Sequence, residues 1–112
     1  MTKTLISVLS LTLVPFSVFA SELSDNAKSA CVELGTIQAC GTKTTQYEAK
    51  LIDYIRRISN NADDYVMNES YCGASINTAR NITLADFRSG RRNMKDVCKD
   101  TNKKIKKLIT NL

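Results

Sequence analysis

Four cysteines, Cys31, Cys40, Cys72 and Cys98, have the widest choice of chemistry in this chain: metal ligation, nucleophilic catalysis or cross-linking. The first two need partners that the sequence does not supply. The chain contains no histidine, and no two of its cysteines have the C-x-x-C spacing common in zinc sites. Without histidine, neither a Cys–His nor a Ser–His pair can be assembled to activate a nucleophile. Asp63 and Asp64 are adjacent, so on a helix they point about 100° apart and do not converge on one substrate. There is no Gly-rich phosphate loop and no nucleophile-elbow motif. The expectation is a protein that is not an enzyme and carries no metal or cofactor. An even number of cysteines in a small chain reads as two disulfides. Each contributes about 2–4 kcal/mol, comparable to much of a small domain's net stability.

Basic residues form the second candidate site. The segment from Glu22 to Glu69 holds eight acidic and five basic residues, whereas Arg88 to Lys107 holds nine basic and two acidic ones. Arg88, Arg92, Lys95, Lys99 and Lys103 therefore make a candidate basic face for an acidic protein partner. The competing explanation is a solvated helix face that keeps a small protein soluble. Nucleic acid is a weaker partner, because few aromatic residues are interleaved with these cations for base stacking. Lys103 to Ile109 also has the form of a membrane-binding amphipathic segment. Ile105, Leu108 and Leu112, however, continue an apolar stripe better used in packing.

That stripe belongs to the element expected to organise the fold, a helix over 83–112. Leu84, Phe87, Arg91, Met94, Cys98, Thr101, Ile105, Leu108 and Leu112 recur at intervals of three and four, the spacing of one helical face. Ser89-Gly90 is its weak point, and its heptad-like seam suits a bundle or a homodimer equally. Arg91 interrupts the seam, and its expected place is with the stem on the seam and the head in water rather than in an ion pair with Asp53. A first helix starts at Ser24, with Leu23, Ala27, Ala30, Leu34 and Ile37 inward, and ends near Cys40, where Gly41 supplies a left-handed cap. Gly35 weakens it, since glycine costs about 1 kcal/mol in a helix interior.

Thr45-Gln46-Tyr47-Glu48 has the form of a capping box opening a second helix, expected to run to about Met67 with Ser59-Asn60-Asn61 as a fray or kink. Tyr47, Tyr54 and Tyr65 lie on its inner face as half-buried residues with wet hydroxyls. The stretch 68–82 has the least regular pattern, with a possible short helix over 75–80. No segment alternates with period two. The fold class is all-α: a small bundle of about four helices, one of them short, stapled by two disulfides. Cys31 and Cys40 are about 13 Å apart on a continuous helix and on opposite sides, so they do not pair unless Gly35 breaks it. Antiparallel helices then favour Cys31–Cys72 with Cys40–Cys98, the other two connectivities staying open.

Residues 1–20 have the features of a signal peptide: Lys3 before an apolar run from Leu5 to Val14, then Pro15 and a small-residue Val18-Phe19-Ala20 site. The run is short of the roughly 20 apolar residues that span a bilayer. Residues 21–112 are then a single exported domain, secreted or periplasmic, with no integral membrane segment after cleavage. Asn68-Glu69-Ser70 and Asn81-Ile82-Thr83 match the glycosylation sequon, which matters only in a eukaryotic source. Two functions follow. One is an inhibitor or immunity-type binding protein that neutralises an envelope partner. The other is a stress holdase. In general shape (signal peptide, helical body, late Cys98, Lys-rich end) the chain resembles the small acid-stress chaperones of the bacterial periplasm, which bind clients through apolar surface exposed on acidification. The second cysteine pair departs from that plan.

Overall fold

Ser24 opens the first helix in the computed structural model, which describes residues 23–112. Its hydroxyl oxygen accepts from the Ala27 backbone N–H at 3.1 Å, satisfying one of the donors a helix start leaves unpaired. The helix, α1 (Asp25–Ala39), ends at Cys40 and Gly41, the latter at φ +81°. It turns Ala27, Ala30, Cys31, Leu34 and Ile37 wholly out of solvent. Four more helical elements follow among the described residues: α2 (Thr45–Ile58), α3 (Ala62–Ser89), a single turn α4 (Met94–Val97) and α5 (Thr101–Thr110). No strand occurs among them, and none of these helices is long and apolar enough to cross a membrane. The signal peptide expected over residues 1–20 lies outside the described residues.

Two boundaries differ from expectation. The second helix stops at Ile58 instead of continuing to Met67. Ser59 leaves the helical conformation and its hydroxyl donates back to the Ile55 carbonyl at 2.6 Å. Two residues later Asn61 caps the next helix, its side-chain oxygen accepting from the Asp64 N–H at 2.9 Å. Ser59-Asn60-Asn61 is therefore a full break. The expected capping box at Thr45 does not form: Thr44, one residue earlier, precedes the helix, and its hydroxyl donates to the Glu48 carboxylate at 2.6 Å with no side-chain bond to the helix's own backbone N–H groups.

The larger correction concerns the expected helix over 83–112 and the irregular stretch before it. Residues 68–82 are continuous helix, the centre of the 28-residue α3. It ends at Gly90, which takes the left-handed conformation at φ +78° that glycine adopts without steric cost. Arg91, Met94 and Cys98 thus lie beyond the helix. The even spacing had run straight across a chain reversal. Met94, expected on the seam, is 54% exposed. The end of the stripe holds: Thr101 and Ile105 are buried, and Leu108 and Leu112 pack partly against the core.

α1 is the central element, packed most extensively on α3, next on α5, and also against α2. α1 and α3 run parallel, since Cys31 meets Cys72 and Gln38 meets Arg80 further along both helices. α2 supplies Leu51, Tyr54 and Ile55 to the core, and α5 supplies Ile105 and Ile109. Tyr54 is buried while its hydroxyl still accepts from the Ser24 N–H at 3.3 Å. Both favoured disulfides form, Cys31–Cys72 inside the core and Cys40–Cys98 tying the α4 segment to the end of α1.

Candidate partner-binding surface

The five proposed contact residues are distributed over five pieces of chain. Arg88 is in the last turn of α3, Arg92 in the reversal after it, Lys95 in α4, Lys99 in the turn that follows and Lys103 in α5. They do not share one helical face. Arg88, Lys95, Lys99 and Lys103 are exposed.

Arg92 is set apart by its partners. Its Nε lies 2.9 Å from Asp86 Oδ2, and its Nη2 donates to Thr83 Oγ1 at 3.0 Å. The Asp86 side chain is only 11% exposed and Thr83 is 1% exposed, so the guanidinium satisfies two polar groups that water hardly reaches. The Asp86 backbone carbonyl accepts from the N–H groups of Arg91 and Arg92 at 2.9 and 3.3 Å. Asp86 therefore closes the end of α3 with both its backbone and its side chain. Arg91 lies beyond the helix, so its stem is on no seam; its side chain extends into water, with Nη1 3.6 Å from Asp86 rather than from Asp53. Asp53 instead faces Arg56 at 3.6 Å. The signal for Asp86 was present in the sequence as an acidic residue five and six positions before two arginines, but a continuous helix would have put them on different faces.

Beyond that lock, Arg92, Lys99 and Lys104 line a shallow cleft of about 290 Å³ together with Glu33 and Asp96. Lys104 Nζ is 3.7 Å from Glu33 Oε1, so part of the positive charge is offset within the chain. At the N-terminal side of the disulfide, Gln38 links three elements: it donates to Thr44 Oγ1 at 3.1 Å and accepts from Arg80 Nη1 at 2.7 Å. No group of three or more His, Cys, Asp or Glu side chains is positioned to hold a metal among the described residues. All four cysteines are used in disulfides. Comparison with family models, curated proteins and solved structures finds no match.

The sequon residues are placed differently from each other. Asn68 is buried in α3 and its Nδ2 donates to Ser59 Oγ at 3.4 Å. Asn81 is exposed in the same helix, although the Thr83 of its sequon is buried. A second surface feature lay in the stretch expected to be irregular. Val32 of α1 and Met67, Tyr71 and Ile82 of α3 are all about half exposed or more. Val32, Tyr71, Ala74, Ala79 and Ile82 line an apolar groove of about 350 Å³ between the two helices. Its periodicity was masked by the Asn, Ser and Thr residues between.

Proposed function

We propose that this chain is an exported binding protein that neutralises a protein partner through an acidic patch on that partner. The observation that carries the proposal is the anchoring of the segment bearing the exposed cations. The Asp86–Arg92 pair holds one end of it and the Cys40–Cys98 disulfide the other. Lys95 and Lys99 are thus displayed from a segment with little freedom, which reduces the ordering cost of association. That arrangement suits an inhibitor or immunity protein of an envelope enzyme or toxin. The two disulfides suit an oxidising compartment, in keeping with the signal-peptide pattern of residues 1–20.

The experiment is capture from the native envelope fraction with oxidised protein, at low and at high salt. The expected result is one partner in near-stoichiometric yield, lost at high salt because exposed charge pairs are screened. Replacing Lys95, Lys99 and Lys103 together by Gln should weaken that complex at least tenfold. Arg92 is left in place, because its loss would disturb the fold. Capture unchanged by the triple replacement and by salt would overturn the proposal.

The exposed apolar groove supports the holdase as a second reading. Its signature is suppression of the aggregation of many unrelated clients, growing on acidification together with dye-binding apolar surface.

A further inference from the structure

The outer face of α3 carries a strip of exposed apolar and small side chains. Met67, Tyr71, Ala74, Thr78, Ile82 and Ala85 follow one another at intervals of three and four and are all exposed. At 100° per residue they fall within about 60° of one direction, apart from the face that carries Cys72 and Thr83 into the core. Four of these positions are symmetric about a point between Ala74 and Ser75, whereas Ser75 and Asp64, the counterparts of Ala74 and Ala85, lie outside the set. Met67 and Ile82 are equidistant from it, as are Tyr71 and Thr78. The stretch 70–79 contains no charged residue. Asp63 continues the face at its N-terminal end and Arg88 at its C-terminal end, both exposed and in no ion pair among the described residues.

We infer that this face pairs with the same face of a second copy of the chain, the two α3 helices lying antiparallel about a two-fold axis at Ala74–Ser75. Three independent features favour a copy over an unrelated occupant. The first is size. The operation sets Tyr71 of one copy opposite Thr78 of the other, a large side chain against a small one, with Ala79 beside it as further space in the groove. The centre, Ala74 against Ser75, is small on both sides and allows the helices to approach closely. The second is polarity, because Met67 meets Ile82 at both ends and removes two half-exposed apolar pairs from water. The third is charge. Arg88 comes level with Asn61, within about 3 Å along the axis of Asp63, so opposite charges meet twice. A two-fold interface requires this kind of self-complementarity.

The size of the surface sets the strength. α3 has 28 residues and is about 42 Å long. A strip about 10 Å wide along it offers roughly 400 Å² per copy, about half of what a stable complex buries. The dimer is therefore a reversible one in the micromolar range, not an obligate assembly. It uses a different surface from Lys95, Lys99 and Lys103, so it does not depend on the proposed partner interaction.

The test is sedimentation equilibrium of the oxidised protein from about 5 to 500 μM, with circular dichroism to show that each variant keeps its helix. The native protein should shift from monomer to dimer over this range. Ile82→Lys, at a position outside the core, should abolish the shift. Asp63→Arg alone and Arg88→Asp alone should each weaken association about tenfold, and the two together should restore it. A monomer throughout the range would overturn the inference and leave the groove open for other proteins. So would a dimer indifferent to Ile82→Lys, or a charge-reversed double variant no stronger than the single ones. Each outcome is independent of the Lys95, Lys99 and Lys103 replacements that test partner capture.

Discussion

Gly35 of α1 presses its backbone against Ala79 of α3: a Cβ built on it would stand 2.7 Å from the Ala79 Cβ and closer still to the Ile76 carbonyl oxygen. The close crossing explains why glycine stands in the interior of a helix. Propensity alone says that Gly35→Ala stabilises by about 1 kcal/mol. The crossing says the opposite, because α3 would have to move and overpacking costs about 1–3 kcal/mol. Gly35→Ala should therefore lower stability in thermal or urea unfolding, whereas Gly73→Ala, where nothing lies within 4 Å, should raise it. Stabilisation by both replacements would show that the helices are not in close contact at Gly35.

Removal of Arg92 should be more harmful than removal of Arg91. Arg91 is 77% exposed at its side chain and stands 3.6 Å from Asp86, a geometry that contributes little. Arg92 bonds both Asp86 and buried Thr83. Arg92→Ala leaves two poorly hydrated polar groups short of a partner, at about 1–3 kcal/mol. Arg92→Lys should recover little of this, since an ammonium cannot reach both oxygens in the same planar geometry. Urea midpoints of the three variants decide the matter, and equal losses for Arg91→Ala and Arg92→Ala would refute the lock.

How far these features were legible in the sequence depends on which physical signal each one left. α1 was legible because its cap, apolar spacing and terminal glycine all agree. The disulfide pairing was legible only in part: helix length keeps Cys31 from Cys40, which leaves two connectivities, and antiparallel packing favoured the one that forms. The middle of α3 was not. Asn, Ser and Thr are neutral in a helix at best, and it is packing of Cys72, Ile76 and Ala79 against α1 and the core that holds 68–82 helical. Conversely, a regular spacing of three and four ran through Gly90 and concealed a chain end. The basic residues were legible as a composition but not as a surface. Arg92 proved structural, and the others were split among three helices and a turn.

The two disulfides should fail in different ways. Their loops span 41 and 58 residues, and loop closure alone gives both about 4 kcal/mol. Their surroundings differ more. Cys31 and Cys72 are buried within the helix contact that forms the core, whereas Cys40 and Cys98 are partly exposed and α4 buries no residue of its own. Cys40→Ala/Cys98→Ala should chiefly increase amide hydrogen exchange over 91–100, with α1 and α3 still protected. Cys31→Ala/Cys72→Ala should lower protection across all helices together. Mild reductant should open Cys40–Cys98 first because a thiolate can reach it. Uniform loss of protection in both variants would mean that the α4 segment is not an independent unit.

Substitutions in α5 separate packing from membrane binding. The helix carries four lysines over 103–107 and has an apolar face that would suit an interfacial anchor. An anchor must present that face to lipid, but Ile105 is 0% exposed and Ile109 9%. Ile105→Ala should therefore cost about 2–5 kcal/mol of folding stability, as for other buried aliphatic truncations. Leu108, only partly buried at the edge of the same face, should cost clearly less. If α5 instead served lipid, both truncations would leave the urea midpoint nearly unchanged and reduce binding to anionic vesicles alike. A large loss of stability for Ile105→Ala, with vesicle binding by the native protein removed by salt, assigns the apolar face to the core and leaves the lysines as a surface that acts by charge alone.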